Sequence, residues 1–296
     1  MKEIGGRGTS VPSQLTPEYL RAKVAEALAE DLGPEGHDVT TEAVVPAGLM
    51  AKAHLVAKDT GVVAGLVVAE EVFRQVDPGI AFRARTADGS PITSGDALAE
   101  VDGPLRGLLM AERTALNFLQ QLSGVATLAH RYVQQATSAS PTVIVLDTRK
   151  TTPGLRPLQR YAVRCGGGTN HRYNLADAVL IKDNHVAAAG GVAEAVRRAR
   201  GCGLPVEVEV DDLDQLEEAL RAGAEAILLD NLSPGQVTEA VRRARGRAVL
   251  EVSGGVSLAT VAAYAATGVD RISVGSLTHS APAVDISMEV IETWEA

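Results

Sequence analysis

Six short apolar runs recur through the second half of the chain, and this repeat constrains the fold more than any other feature. The runs are rich in Val, Ile and Leu: VIVLD (143–147), AVLIK (178–182), VEVEV (206–210), AILLD (226–230), AVLEVS (248–253) and RISVG (271–275). From the third run to the sixth, successive starts lie a little over twenty residues apart, the length of one compact β-α unit. Continuous apolar strands alternating with helices are typical of a parallel sheet covered by helices.

The segments between the later runs have the pattern of amphipathic helices. DDLDQLEEALRAGA places Leu213, Leu216 and Leu220 on one helical face, after Asp caps and before Gly223. GGVAEAVRRARG, SPGQVTEAVRRARG and SLATVAAYAATG have the same form, and each ends on Gly. Six such units predict a closed or nearly closed α/β barrel, TIM-like and irregular. No G-x-G-x-x-G follows the first strand, which argues against a dinucleotide-binding sheet.

The first half of the chain has a different pattern. AKAHLVAKDTGVVAG and GDALAEVDG indicate strands and turns, with the helix LVVAEEVFRQV between them, and a long helical stretch from residue 105 follows. We therefore predict an N-terminal α+β, sandwich-like domain over residues 1–125 and the barrel over 126–282, with Gly124 breaking the long helix. The final segment, 283–296, is expected to return to the first domain.

Composition excludes several classes of function. The 296 residues carry a formal charge of −9, and the isoelectric point near 5.2 argues against a broad nucleic-acid-binding face. Cys165 and Cys202 are too few and too differently placed for a disulfide framework or a thiolate metal site. No apolar stretch is long enough to span a bilayer, and MKEIGGRGTSVPSQ at residues 1–14 lacks a signal-peptide pattern, so we expect a cytoplasmic protein without a membrane partner.

Polar residues or glycines lie at the ends of all six predicted strands. In α/β barrels the carboxyl ends of the strands carry the reactive groups. These residues are therefore predicted to meet at that end of the barrel, which we call the mouth. They are Arg149, Lys150, Lys182, Glu209, Asp230, Asn231, Ser253, Gly254, Gly255 and Gly275. The loop GGGTNHR (166–172) adds His171 and Arg172 to the cations.

Each group of these residues indicates a kind of ligand. Arginine forks and lysines bind carboxylates or phosphates. Carboxylates such as Glu209 and Asp230 accept hydrogen bonds from sugar hydroxyls, hold Mg²⁺ or stabilise a cationic transition state. Glycine turns on the last two strands form the usual phosphate site of a barrel. The residues alone therefore predict group transfer between a phosphorylated sugar and an acid. A Schiff-base aldolase using Lys150 or Lys182 stays open at this point.

One long motif carries a family resemblance. DTRKTTPGLRPLQRYAVRCGGGTNHRYNLADAVLIKDNH, followed in order by VEVEVDDL, AILLDN, EVSGGVS and ISVGSLTHS, closely resembles the quinolinate phosphoribosyltransferase (carboxylating nicotinate-nucleotide pyrophosphorylase) family. The resemblance is strong from about residue 104 to 290 and weaker before that, where DLGPEGHDVTTEAV still fits. It implies transfer of phosphoribosyl from phosphoribosyl pyrophosphate to quinolinate, giving nicotinate mononucleotide, pyrophosphate and CO₂ in NAD biosynthesis.

The resemblance also implies roles for individual residues. Four cations would surround the quinolinate carboxylates: Arg149, His171, Arg172 and Lys182. Lys150, again with His171, would face the pyrophosphate group. Glu209 and Asp230 would face the ribose hydroxyls and the Mg²⁺ cofactor, directly or through water or substrate, with Asn231 beside them. The 5′-phosphate would lie against Ser253, Gly254, Gly255 and Gly275.

Arg113, in MAERTALN, matches a residue that the family contributes across a homodimer interface to the neighbouring site. From its sequence context alone it would be a solvated helix cation. The sequence does not decide between a dimer and a hexamer. Two further alternatives are a paralogue of the same fold with another acceptor and a silent barrel that senses a pyridine carboxylate.

Overall fold

The structure is a computed structural model that describes residues 15–33 and 35–296. The segment 1–14, which lacks a signal-peptide pattern, lies outside the described residues. The described chain forms two compact units. One comprises residues 130–152 and 168–279, and the other comprises the remaining described residues up to 129 together with 153–167 and 280–296. The predicted domain boundary near residue 125 stays a prediction.

The first of these units is built on a six-stranded parallel sheet. Its strands are β6 (Ile144–Leu146), β7 (Val179–Ile181), β8 (Val206–Val210), β9 (Ala226–Asp230), β10 (Val249–Ser253) and β11 (Arg271–Ser273). They run in the order β6-β11-β10-β9-β8-β7. The six apolar runs of the sequence thus form the six strands, which confirms the predicted TIM-like α/β fold. Ile227, Leu229 and Ile272 are fully buried, each contributing about 1.5–3 kcal/mol to folding.

Helices follow the strands, and the sequence explains where they begin. They are α6 (Asp183–Ala189), α7 (Val192–Ala199), α8 (Leu213–Arg221), α9 (Pro234–Ala244), α10 (Val261–Ala265) and α11 (Ser276–His279), with a short 3₁₀ turn at Arg200–Cys202. The Asp212 carboxylate accepts hydrogen bonds from the Asp214 and Gln215 amides and so caps α8. Ser233 and Gln236 form a capping box at the start of α9. The helices therefore begin where the sequence places their caps.

The second unit contains an antiparallel sheet. Its elements are α1 (Pro17–Leu32), α2 (Val39–Val44), β1 (Leu49–Ala57), β2 (Gly61–Val62), α3 (Leu66–Val76), β3 (Ala81–Ala84), β4 (Pro91–Ile92), β5 (Ala97–Pro104), α5 (Arg156–Cys165) and β12 (Ile286–Glu295). Four strands run in the order β12-β1-β5-β3, while β2 pairs with β4. The C-terminal strand pairs antiparallel with β1 from Ile286 opposite Ala57 to Glu295 opposite Leu49.

The long helix α4 (Leu105–Ala139) contributes residues to both units. It passes through Gly124 without interruption, so the predicted helix break at that glycine is wrong. A Cβ built on Gly124 would lie 2.1 Å from the Pro282 carbonyl oxygen. The glycine is therefore explained by the close approach of the 282–283 backbone and not by a break in the helix.

No helix among residues 15–33 and 35–296 is both long and apolar enough to cross a membrane.

Candidate functional site

A cavity of about 720 Å³ opens at the carboxyl ends of the parallel strands. Every predicted site residue except Arg113 lines it: Arg149, Lys150, His171, Arg172, Lys182, Glu209, Asp230, Asn231, Ser253, Gly254, Gly255 and Gly275. Arg113 is exposed on α4, in the other unit. The strand ends thus bring together residues that are up to 126 positions apart in the sequence, from Arg149 to Gly275.

Two guanidinium groups lie close together on one side of the cavity. Burial, followed by the nearby positive charge of Arg149, lowers the pKa of Arg172. The Arg172 Nη1 donates a hydrogen bond to the Ala178 carbonyl at 2.9 Å, which restrains the guanidinium. Neighbouring cations in a partly buried cavity repel each other, and a bound anion relieves that repulsion. This side of the cavity is therefore suited to a ligand with carboxylate or phosphate groups.

The buried Asp147 holds the loop that carries these cations. Its carboxylate accepts hydrogen bonds from the Asn170 side chain at 2.6 Å and from the His171 amide at 2.8 Å. Thr169 also bridges to Leu146 at the end of β6. Asp147 is fully buried and ends the first apolar run, so the loop is fixed to the sheet next to the cavity.

His171 lies between two buried carboxylates beneath the mouth. Its Nε2 is 3.2 Å from Glu207 Oε2 and 3.2 Å from Glu251 Oε1. Burial lowers the pKa of His171, but hydrogen bonds to Glu207 and Glu251 and their negative charge outweigh burial and raise it to about 10. Burial also raises the pKa of Glu207, as does the charge of Glu251. His171 and Glu207 together therefore hold one more proton at neutral pH than the separated side chains would, and because the Arg172 N–H is directed at Nδ1, that proton lies on the Nε2–Glu207 side of the ring.

His171 and Arg172 also line a second cavity, of about 220 Å³, next to the starts of the strands. Most of its lining is apolar, and its charged residues are Arg172, Asp177, Glu207 and Arg271. The His171–Arg172 pair thus contacts both the mouth cavity and the barrel interior.

Acidic side chains occupy another part of the mouth. The carboxylate oxygens of Glu209, Asp211 and Asp230 lie within 4.8 Å of one another. Lys182 forms an ion pair with Glu209, and the side-chain amide of Asn231 donates a hydrogen bond to Asp230 Oδ2 at 2.7 Å. Hard carboxylate oxygens are the ligands that Mg²⁺ prefers, so this group fits the predicted cation.

The glycine turns bring backbone close to this acidic group. Asn231 adopts a left-handed conformation with φ 55°, and its backbone N–H donates a hydrogen bond to the Ser253 carbonyl at 2.9 Å. Gly254 has φ 86°, and a Cβ there would lie 2.2 Å from Asn231 Oδ1. A side chain at residue 254 is therefore excluded both by the backbone conformation and by its neighbour.

Sequence reasoning did not assign several residues at this site a role. Thr148, Glu251, Ser273 and His279 line the mouth cavity, while Asp211 joins the acidic group. His279 follows the last strand in the motif VGSLTHS, and this position could have identified it. Glu251 lies within its strand, so only the register of the sheet shows that it points into the barrel.

The fold and site together define a class of protein: an α/β barrel whose strand ends gather cations, carboxylates and glycine turns around one cavity, as in barrel enzymes that act on anionic small molecules. Comparison with known proteins gives the family. The family model described as Quinolinate phosphoribosyl transferase, C-terminal domain matches residues 125–289, and the corresponding N-terminal model matches 38–123.

Individual relatives agree with these matches. The carboxylating nicotinate-nucleotide pyrophosphorylase of Mycobacterium leprae is 47% identical over 282 residues, covering 92% of this chain and 98% of that protein. The crystal structure of NadC from Streptococcus pyogenes has a TM-score of 0.89 and 42% identity, covering 95% of this chain and 99% of that one. The structure of the nicotinate-nucleotide pyrophosphorylase from Francisella tularensis has a TM-score of 0.88 and 38% identity, covering 98% of this chain and 100% of that one.

The chain belongs to the quinolinate phosphoribosyltransferase family and is an enzyme of the pentosyltransferase class. The family predicted from the motifs is thereby confirmed.

Proposed function

We propose that this enzyme transfers phosphoribosyl from phosphoribosyl pyrophosphate to the ring nitrogen of quinolinate, releasing pyrophosphate and CO₂ and giving nicotinate mononucleotide. One observation carries the proposal: Arg149 and Arg172 line the same cavity, close enough that the charge of Arg149 adds to burial in lowering the pKa of Arg172, and this cavity also holds the acidic group and the glycine turns. A dicarboxylate offsets the repulsion between the two guanidinium groups. Relatives named for nicotinate-nucleotide pyrophosphorylase activity are matched over 98% or more of their own length, which supports the same conclusion.

The acceptor is held by the cations. Arg149, Arg172 and Lys182 surround the two carboxylates of quinolinate, and Lys150 lies on the pyrophosphate side. His171 lines the same cavity, but its ring nitrogens contact Glu207, Glu251 and the Arg172 N–H, so it supports the acceptor site from beneath. Holding the ring nitrogen near the anomeric carbon converts a bimolecular step into a reaction within one complex. The pyridine nitrogen attacks through its lone pair and loses no proton, so the site needs no general base.

The donor is held by the opposite part of the mouth. Ser253, Gly254, Gly255 and Gly275 contact the 5′-phosphate, because their backbone can approach an anion closely. Glu209 and Asp230, with Asn231 beside them, face the ribose hydroxyls and favour the positive charge that develops on the sugar as pyrophosphate leaves.

Mg²⁺ is the proposed cofactor, held by Glu209 and Asp230, with Asp211 near enough to join them. When bound, it offsets the negative charge of the departing pyrophosphate.

Loss of CO₂ follows attack. The ring nitrogen becomes cationic on forming its bond to the ribose, and the electron pair left on carbon 2 when the adjacent carboxylate departs is stabilised by that charge. A proton then replaces the carboxylate on carbon 2. The arginines hold the acceptor during this step, so we assign much of the catalysis to positioning.

We also propose that two copies share each site through Arg113. That residue is exposed on α4 and is not among the residues that line the mouth cavity. A neighbouring copy could therefore supply it to a cavity that already holds the other cations.

One assay tests the activity. Purified enzyme, quinolinate, phosphoribosyl pyrophosphate and Mg²⁺ should give nicotinate mononucleotide and CO₂ in equal amounts, and EDTA should stop product formation. Nicotinate in place of quinolinate should give no product. Product from nicotinate and none from quinolinate would refute the assignment and favour a paralogue with another acceptor. Borohydride trapping of a carbonyl substrate on Lys150 or Lys182 would instead support the aldolase alternative.

A further inference from the structure

Two buried carboxylates inside the barrel have no assigned role in the reaction. Glu207, on β8, is 8% exposed, and Glu251, on β10, is fully buried. Within the described chain, no protein group donates a hydrogen bond to Glu207 Oε1 or Glu251 Oε2. Burying a carboxylate costs several kcal/mol unless its partners compensate. The partners that these two groups do have therefore indicate why the chain keeps them.

Glu251 Oε1 is the oxygen that makes contacts. It lies 3.2 Å from His171 Nε2 and accepts a hydrogen bond from the Ser273 hydroxyl. The other ring nitrogen of His171, Nδ1, accepts the backbone N–H of Arg172 at 2.7 Å. A nitrogen that accepts a hydrogen bond carries no proton, so the ring proton is on Nε2 and is directed at the carboxylates.

These contacts form a continuous connection from the barrel interior to the mouth. Glu251 holds the imidazole, the imidazole holds the Arg172 backbone, and Ala178 holds the Arg172 guanidinium. A change at Glu251 would therefore reach Arg172 without direct contact between the two side chains.

We propose that Glu251 is a positioning residue for acceptor binding, which acts by fixing the His171 ring and through it the backbone of Arg172. This rests on the proposed function in giving Arg172 a quinolinate carboxylate as its ligand and in placing the donor elsewhere in the mouth. The donor phosphate contacts other parts of the mouth, so the effect is specific to one substrate.

Two substitutions show whether residue 251 must supply an acceptor oxygen or only a side chain of the right size. Glu251→Gln keeps an oxygen that can accept from both His171 and Ser273, whereas Glu251→Leu is of similar size and keeps none. For the leucine variant we expect the quinolinate KM to rise about tenfold or more, while the KM for phosphoribosyl pyrophosphate changes less than about twofold. The glutamine variant should stay within about threefold of the parent for both. Tyr264→Phe, which removes a buried hydrogen bond to the Leu232 carbonyl elsewhere in the barrel, serves as the control for lost stability.

A spectroscopic measurement tests the contact without any substrate. In the full chain labelled with ¹⁵N-histidine, the His171 signals, identified by their absence in His171→Gln, should show a protonated Nε2 and an unprotonated Nδ1. Glu207 stays opposite Nε2 in Glu251→Leu, so this variant tests whether Glu251 is needed to hold the ring. Without Glu251 the ring should turn away from the Arg172 N–H and His171 should become a mixture of tautomers, while Glu251→Gln and Tyr264→Phe should preserve the parent's tautomer.

The outcomes are distinct. An unchanged His171 tautomer in the leucine variant, or an equal rise in both KM values, would overturn the proposal. If the leucine variant does not fold, a glutamine variant that loses the tautomer or raises the quinolinate KM more than tenfold overturns it as well. A parent enzyme that shows the tautomer but does not use quinolinate would refute the proposed function alone.

Discussion

Arg172 is the residue through which selectivity for the acceptor can be tested most directly. Its guanidinium is partly buried beside Arg149 and is restrained by the Ala178 carbonyl. Under the proposed function, Arg172→Ala would remove a charge-assisted hydrogen bond to the acceptor, so the quinolinate KM should rise about 10- to 100-fold. The KM for phosphoribosyl pyrophosphate should change far less. Steady-state kinetics with each substrate varied in turn give both values.

A surface arginine provides the control for Arg172. Arg198 pairs with Glu194 on the exposed side of α7, so Arg198→Ala removes a positive charge without touching the mouth cavity. We expect this variant to keep both KM values. If Arg172→Ala raised the two KM values equally, its assigned contact with quinolinate would be incorrect.

The sequence predicts some site residues well and others poorly, for a physical reason. Asp230 ends an apolar strand and Lys150 lies shortly after one, so a barrel prediction places both at the mouth. Glu251 lies inside a strand, and Asp147 acts through hydrogen bonds to Asn170 and to the His171 backbone. Roles of that kind depend on the register of the sheet and on the path of the loops, and the spacing of apolar residues in the sequence shows neither.

At the scale of elements, α4 shows where local propensity fails as a guide. Glycine inside a helix costs about 1 kcal/mol relative to alanine, so Gly124 taken alone predicts a break. The helix continues because the rest of its apolar face is buried, and the glycine admits the Pro282 carbonyl. Sequence periodicity identifies the helix but cannot show a contact with a segment about 158 residues away.

This contact predicts the effect of adding one methyl group. Gly124→Ala gains helix propensity, but its Cβ would lie 2.1 Å from the Pro282 oxygen and 3.1 Å from Ala283 Cα. Backbone must then move, so we expect a net destabilisation of about 1–3 kcal/mol. Thermal unfolding by circular dichroism should show a lower Tm.

Gly107, in the same helix, is the matched control. A Cβ there would meet the end of the Ile80 side chain at 3.2 Å, and a side-chain end can move more easily than backbone. Gly107→Ala should therefore leave the Tm close to that of the parent. An equal fall in Tm for both variants would mean that the contact with Pro282 is not what keeps glycine at 124.

At the scale of the whole molecule, net charge and local charge have opposite signs. The chain carries −9, yet the mouth cavity gathers Arg149, Lys150, Arg172 and Lys182. Buried and partly buried charges are screened less than exposed ones, so inside this cavity the local positive charge favours an anionic ligand despite the negative net charge. Net charge therefore excludes a broad nucleic-acid surface but does not predict the ligand of one small pocket.

The proposed sharing of the site between copies makes a quantitative prediction. Arg113→Ala and Lys150→Ala should each be inactive alone, because one lacks the contributed arginine and the other lacks a cation of the cavity. In a mixed dimer one site combines an intact cavity with an intact Arg113, while the other site carries both changes. Random exchange at equal amounts should therefore restore about a quarter of the parent's activity.

The doubly substituted chain separates this arrangement from one in which Arg113 acts within its own copy. Arg113→Ala/Lys150→Ala mixed with the parent leaves one intact cavity in each mixed dimer, but its arginine comes from the altered copy. Under sharing, only parent dimers are active, and activity per chain should fall to about a quarter of the parent's value. If Arg113 served its own copy, mixing the two single variants would restore nothing, and the double variant would leave about half of the activity. Differently tagged chains show whether subunit exchange is complete, as it must be in both mixtures. The activities of the two mixtures then decide between the two arrangements.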